Sequence, residues 1–167
     1  MKISIIVQFS AGIGHLARIS AITHELIKFA EVTVFSGGRQ VGFQFPEAVK
    51  FVQLPAMYWC GDTNATLKSV EPRMSAEECL AERSRVLLEF YRRDRPDIVL
   101  TEFFPFTPGF FGSTLDALLA EIRNSVPRPL LFCSIRAFPR VKVLDSELPS
   151  EWIRTCLIEN YDGVFHH

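Results

Sequence analysis

Two hydrophobic periods take turns along the chain. Ile3 to Phe9 is apolar on both parities, as in a strand covered on both faces. Leu16, Ile19, Ile22, Thr23, Leu26, Ile27 and Ala30 then recur at spacings of three and four, which predicts an amphipathic helix over roughly 15–29. Arg18, Glu25 and Lys28 fall on its other side. Val32 to Phe35 reads as a second strand, closed by Ser36-Gly37-Gly38, and Phe51 to Leu54 as a third. The polar stretch 60–66 reads as loop. Ala76 to Arg93 is helical, with Leu80, Leu87, Leu88 and Tyr91 on one face and a favourable Glu89–Arg93 pair outside. Pro96-Asp97 ends it, and Ile98 to Thr101 is a buried strand. Ser113 to Arg123 repeats the helical period through Leu115, Leu118, Leu119 and Ile122. Leu130 to Ile135 is a strand, Leu148 to Asn160 a helix with Pro149 in its first turn, and Gly163 to Phe165 begins one more strand.

Strands alternating with helices predict an α/β fold: a single Rossmann-like domain over 1–167, with a mostly parallel sheet and helices on both faces. In such sheets ligands bind off the carboxyl ends of the strands. Five segments should gather at that edge: Ser10–His15, Ser36–Arg39, Pro55–Trp59, Glu102–Phe111 and Ser134–Arg136, with His166-His167 beside them.

A length of 167 residues suits one domain with a proper core. A net charge of −1 carries no nucleic-acid footprint, so a small molecule, a sugar or another protein is the expected partner. No stretch approaches the roughly 20 apolar residues of a membrane span, and the opening apolar run has no cleavage site. That leaves peripheral membrane contact open. Cys60, Cys79, Cys133 and Cys156 are widely spaced, without a CxxC pair or zinc-ligand spacing. A reduced, cytoplasmic chain is expected, which makes the Asn64-Ala65-Thr66 sequon accidental.

The chemistry concentrates in the first loop. Gly12 and Gly14 permit positive φ and close backbone approach. The helix that follows points free N–H groups and a positive dipole end at whatever lies above, which suits a phosphate or a polarised oxygen. His15, in the first helical turn, can take a proton from a substrate hydroxyl. The same pattern also fits a plain strand-to-helix turn with a histidine cap. His24 faces elsewhere on the helix and reads as surface. Residues 102–111 place five phenylalanines in a loop at the open edge of the sheet. They suit a folded-back cluster, an apolar acceptor groove or a docking surface. Glu102 sits there at a strand end, with Arg136 as a candidate partner. Tyr58 and Trp59 suit either stacking on a sugar or simple packing.

Several of these stretches together resemble a known family. They are Gly12-Ile13-Gly14-His15, Ser36-Gly37-Gly38, Phe51-Val52-Gln53-Leu54-Pro55, Arg95-Pro96-Asp97-Ile98-Val99, Glu102-Phe103-Phe104-Pro105-Phe106 and Cys133-Ser134-Ile135-Arg136. The combination resembles the N-terminal half of GT-B glycosyltransferases, in particular the MurG-like group of predicted bacterial enzymes. The resemblance implies two Rossmann-like domains facing across a cleft, this one receiving the acceptor and a second, outside 1–167, holding most of a nucleotide-sugar donor. It implies no cofactor and no metal, and a half-enzyme inactive until a donor-binding half completes it, in the same chain or as a separate polypeptide. Carried over, His15 is the catalytic base. Ser10, Gly12, Gly14, Ser36, Gly37, Gly38, Glu102, Phe104, Phe106 and Arg136 face the acceptor or the diphosphate.

Two other classes remain. Gly12-x-Gly14-x-x-Ala17 fits the loose dinucleotide fingerprint, and Arg39 would meet a 2′-phosphate, which describes an NADP-type module. The apolar loops alone fit a non-catalytic association partner.

Overall fold

The computed structural model describes residues 1–7, 13–60, 66–106, 112–136 and 150–167. Strands β1 (Lys2–Val7), β2 (Glu31–Ser36), β3 (Val49–Gln53), β6 (Ile98–Glu102), β7 (Leu130–Ile135) and β8 (Gly163–His166) form a six-stranded sheet. Its order is β3-β2-β1-β6-β7-β8, and every neighbouring pair is parallel. Four helices accompany it among the described residues: α1 (Gly14–Leu26), α2 (Ala76–Asp94), α3 (Gly112–Asn124) and α4 (Ser150–Asn160). The α/β architecture expected from the alternating periods is the one observed.

Parity sorts the core into two layers. Ile3, Ile5, Val7, Val32, Val34 and Leu100 turn to one face and pack on Leu16 and Ile19 of α1. Ile6, Phe35, Val99 and Leu131 turn to the other, against Leu87, Phe90 and Tyr91 of α2, Leu115, Leu118 and Ile122 of α3, and Cys156 of α4. Continuous apolar strands are what a sheet covered on both faces requires. No helix links β2 to β3. Phe43 and Phe45 from that connection take a helix's place over the edge strand, with Phe45 stacked on Phe51 at 5.3 Å.

The structure corrects the expected loop at Pro55–Trp59. Met57–Cys60 is a strand, β4, paired antiparallel with β5 (Thr66–Ser69). Met57 and Leu67 of this hairpin meet Cys79 at the start of α2. A four-residue strand carries too little alternation to show in sequence; its partner across the turn and the apolar start of α2 create it. α2 begins at a capping box, Ser75 Oγ accepting from Glu78 N–H while the Glu78 carboxylate accepts from Ser75 N–H. Ser75→Ala is expected to cost about 1 kcal/mol, read from urea unfolding. The Ser75 backbone and side chain hold the Glu78 carboxyl below its ordinary value. The box therefore stabilises the fold above the ordinary glutamate range, and that contribution is lost as pH falls from there through the lowered value of the folded state. The helix stops at Arg95, whose φ is 46°, because the residue before Pro96 is barred from the helical region.

The four cysteines are free thiols. Cys79, Cys133 and Cys156 are buried, and burial pushes Cys133 up to about 12 and Cys156 up to about 11. At neutral pH only Cys60 is expected to react readily with a thiol reagent in the native protein; the other three should follow on denaturation. Prompt reaction of two or more thiols would contradict this burial. No helix among the described residues is long and apolar enough to cross a membrane.

Candidate functional site

The strand order sets the place. The chain runs outward from β1 through β2 to β3, then returns to lay β6 on the other side of β1. In sheets of this kind ligands are expected at such a reversal, which here falls at the carboxyl ends of β1 and β6. Val7 ends β1 and Glu102 ends β6, each one residue past the paired Ile6 and Thr101.

Glu102 turns to the α1 side, and its side chain is fully buried. Two groups from α1 reach it. His15 Nδ1 and Arg18 Nη2 both hydrogen-bond to the same carboxylate oxygen, Oε1. The other oxygen, Oε2, finds no hydrogen-bond partner among the described residues, and neither does Arg18 Nε. The spacing of three puts His15 and Arg18 one above the other on the helix, one turn from its start. With Nδ1 donating to a carboxylate, the neutral ring carries its lone pair on Nε2. The His15 side chain is 22% exposed, so the imidazole reaches the surface while its carboxylate partner lies beneath.

Among the described residues the start of α1 is bare. Ile13 occupies the N-cap position without a side-chain cap, and no acidic residue stands in the first turn. Gly14 is the first helical residue, and a Cβ built on it would meet nothing within 4 Å. Its helical backbone shows that positive φ is not what glycine supplies here; the open space above it is. Ser10 and Gly12 lie outside the described residues.

Phe103 follows Glu102 with φ at 62°, a left-handed conformation that costs a non-glycine residue on the order of 1 kcal/mol. The turn is held from two sides: Phe103 N–H donates to Ser134 O at 2.9 Å, and Thr101 Oγ1 donates to Phe104 O at 3.0 Å. The result aims the Phe103 ring edge-on at His15, with centroids 6.1 Å apart. Phe104 is thereby sent the other way. It is buried in the α2–α3–α4 core against Trp152 and does not face outward at the strand ends as expected. Phe106 is half-buried; Phe110 and Phe111 lie outside the described residues.

Arg136 needs correcting too. It is exposed just past the end of β7, and the groups that reach Glu102 are Arg18 and His15 instead. Ser36, Gly37 and Gly38, expected to face the acceptor or the diphosphate, are buried. Gln53 Nε2 lies 2.9 Å from each of the Ser36, Gly38 and Leu54 carbonyl oxygens. Gly37 N–H donates to Val7 O at 2.8 Å. Beneath Gly37 lies Arg83 of α2, fully buried, its Nη2 only 1.6 Å from where a Cβ would stand. Burial lowers Arg83 to about 10, which still leaves it a cation at neutral pH. On the rim, the Arg39 guanidinium stacks over the Tyr58 ring at 4.1 Å.

Arg18, Gln53, Phe103 and Arg83 carried no individual role at the site in the sequence reading, which set Arg18 on the outer side of the helix; the structure turns it onto Glu102. A signal existed for two of them: Arg18 is one turn from His15, and Arg83 interrupts the apolar stripe from Cys79 to Leu87. Gln53 and Phe103 act through backbone geometry that no pattern announces.

No family model matches the chain, and no curated protein does. Solved structures do. A UDP-N-acetylglucosamine 2-epimerase superposes on 99% of this chain with a TM-score of 0.55 at 19% identity. The UDP-GlcNAc 2-epimerase of Methanocaldococcus jannaschii covers 99% with a TM-score of 0.52 at 12% identity. UGT2 of Phytolacca americana, complexed with UDP-2fluoro-glucose and pterostilbene, covers 82% with a TM-score of 0.50 at 13% identity. The chain spans 42%, 39% and 30% of these structures respectively, in each case well under two thirds. Identities this low show the shared fold alone: a Rossmann-like domain matching one half of a GT-B-like architecture.

Proposed function

We propose that residues 1–167 form the acceptor-binding half of a nucleotide-sugar-dependent glycosyltransferase, similar to the MurG-like group, completed by a donor-binding α/β half. The observation that carries this reading is the His15–Glu102 pair at the strand-order reversal; a ring that donates Nδ1–H to the carboxylate keeps Nε2 as its basic atom. An acceptor hydroxyl oxygen attacks the anomeric carbon of the donor sugar, and its proton passes to His15 Nε2. As that bond forms, the bond from the anomeric carbon to the diphosphate breaks, and the electron pair leaves on the diphosphate oxygen. The bare N-terminus of α1 faces that developing charge. Ile13, 54% exposed beside the bare helix start, and half-buried Phe106 offer the acceptor apolar contact. UDP-sugars figure in the names of all three structural neighbours, which supports a nucleotide sugar as donor.

A second reading is half of a nucleotide-sugar epimerase, favoured by the epimerases matching 99% of the chain against 82% for UGT2. A reassembled enzyme supplied with UDP-N-acetylglucosamine separates the two. Sugar transfer to an added acceptor supports the first, and inversion at the sugar's second carbon without transfer supports the second. Stabilisation of the isolated chain by NADPH with no response to UDP-sugars would favour a dinucleotide module over both.

Gly14→Ala separates the role of the bare helix start from its fold. The unfolding midpoint is expected to stay within about 2 °C of the parent, because the new methyl meets no atom of the described residues within 4 Å. Turnover in the reassembled enzyme should fall as the methyl intrudes on the diphosphate. A variant with unimpaired turnover removes that space from the site.

A further inference from the structure

We infer that Arg18 is a positioning residue that keeps the His15 ring neutral with its proton on Nδ1; the inference rests on the reading of His15 as the base. Its ground is one shared atom: His15 Nδ1 and Arg18 Nη2 both meet Oε1 of Glu102, whose side chain is fully buried. A buried carboxylate either takes up a proton or finds a compensating cation. His15 can supply that charge only as imidazolium, and an imidazolium has a proton on Nε2 and no lone pair to offer. Arg18 supplies the charge without any change of protonation, because a guanidinium stays charged under all conditions the fold meets. With Arg18 neutralising Glu102, the imidazole donates Nδ1–H and stays a base at Nε2.

The surroundings add little competing charge among the described residues. From β7, Cys133 is held neutral by burial, and Ser134 Oγ bonds His167 Nε2 of the chain end at 2.8 Å. From β6, the next residue, Phe103, presents only an aromatic edge. From α1, Arg18 is the charged neighbour on the His15 face. Arg18 at 16% side-chain exposure is itself largely shielded from water, so its field on Glu102 is weakly screened. Removing it leaves two outcomes. Either His15 becomes imidazolium to compensate Glu102, or Glu102 takes a proton and donates it to Nδ1, which drives the ring to the Nε2–H form. Both abolish the lone pair at Nε2.

The test is a long-range proton–nitrogen NMR spectrum of the 15N-labelled chain at neutral pH, with the His15 signals assigned by their loss in His15→Ala. The parent is expected to show a pyrrole-type Nδ1 and a pyridine-type Nε2. Arg18→Met, which keeps much of the aliphatic stem, should lose the pyridine-type character of Nε2, either to a doubly protonated ring or to a ring with its pyridine-type nitrogen at Nδ1; Arg18→Lys, which keeps the charge, should retain that character. Removing the anion as well, in Arg18→Met/Glu102→Gln, should restore a neutral ring. Arg18→Gln carries the same expectation as Arg18→Met should the latter not fold. A parent ring already doubly protonated or carrying its proton on Nε2 overturns the inference, as does an unchanged ring in Arg18→Met or Arg18→Gln. The spectrum needs no ligand, so failure of the chain to act in sugar transfer sinks the functional reading and leaves this result standing on its own.

Discussion

Gly37→Ala is expected to destabilise the fold by about 3 kcal/mol, lowering the unfolding midpoint by about 6–12 °C for a chain of this size. The cause is a collision the structure locates. The added Cβ would stand 1.6 Å from Arg83 Nη2 and 2.6 Å from its Cζ. A long side chain at the surface would swing aside, but Arg83 is fully buried and its head has nowhere to go without dragging a charge through the core. The backbone cannot yield instead. Gly37 N–H is bonded to Val7 O and Gly37 O to Met57 N–H, so the turn is held by both its neighbours. A double-mutant cycle with Arg83→Met isolates the cause, since a shorter, uncharged head should recover on the order of 1 kcal/mol of the loss. Gly37→Ala unfolding within about 0.5 kcal/mol of the parent would show that the arginine can retreat.

His15→Ala, in an enzyme reassembled with its donor-binding half, is expected to lower turnover by about 10²–10⁴-fold with little change in stability, the loss typical of removing a general base. The partly exposed ring belongs to neither layer of the apolar core, which is why fold and function separate here. Glu102→Gln should reduce turnover in the same direction. An amide can turn its NH2 toward Nδ1, and the ring then places its proton on Nε2, where the acceptor's proton was to go. Turnover unchanged in His15→Ala would remove the base from this site. Unchanged turnover in Glu102→Gln alone would leave His15 as the base but strip the carboxylate of its orienting role.

Most of the fold was legible before any coordinates. The strands at Ile98–Glu102 and Leu130–Ile135, and the helices through Leu87 and Leu115, follow from local period alone, because a helix stripe or a strand covered on both faces is written in adjacent residues. His15 was legible for the same reason: a Gly-x-Gly-His turn after a first strand identifies its own position in the fold. The β4–β5 hairpin was not, since its short strands are defined by each other. Nor was the direction of Phe104, which depends on a left-handed Phe103 and a hydroxyl from Thr101.

What the sequence determined by itself was therefore the kind of architecture and the edge at which chemistry should be sought. The tertiary structure decided the partnerships there. Glu102 and Arg136 lie close in a reader's mind as opposite charges at neighbouring strand ends, yet Glu102 meets Arg18 and His15 of α1. Charge sign is a local property of the chain, whereas which opposite charge lies within bonding distance depends on how α1 packs over the end of β6, a contact spanning 84 residues for Arg18 and 87 for His15. The same holds for Gly37: its place in a turn is local, but the arginine that forbids it a side chain arrives from a helix far along the sequence.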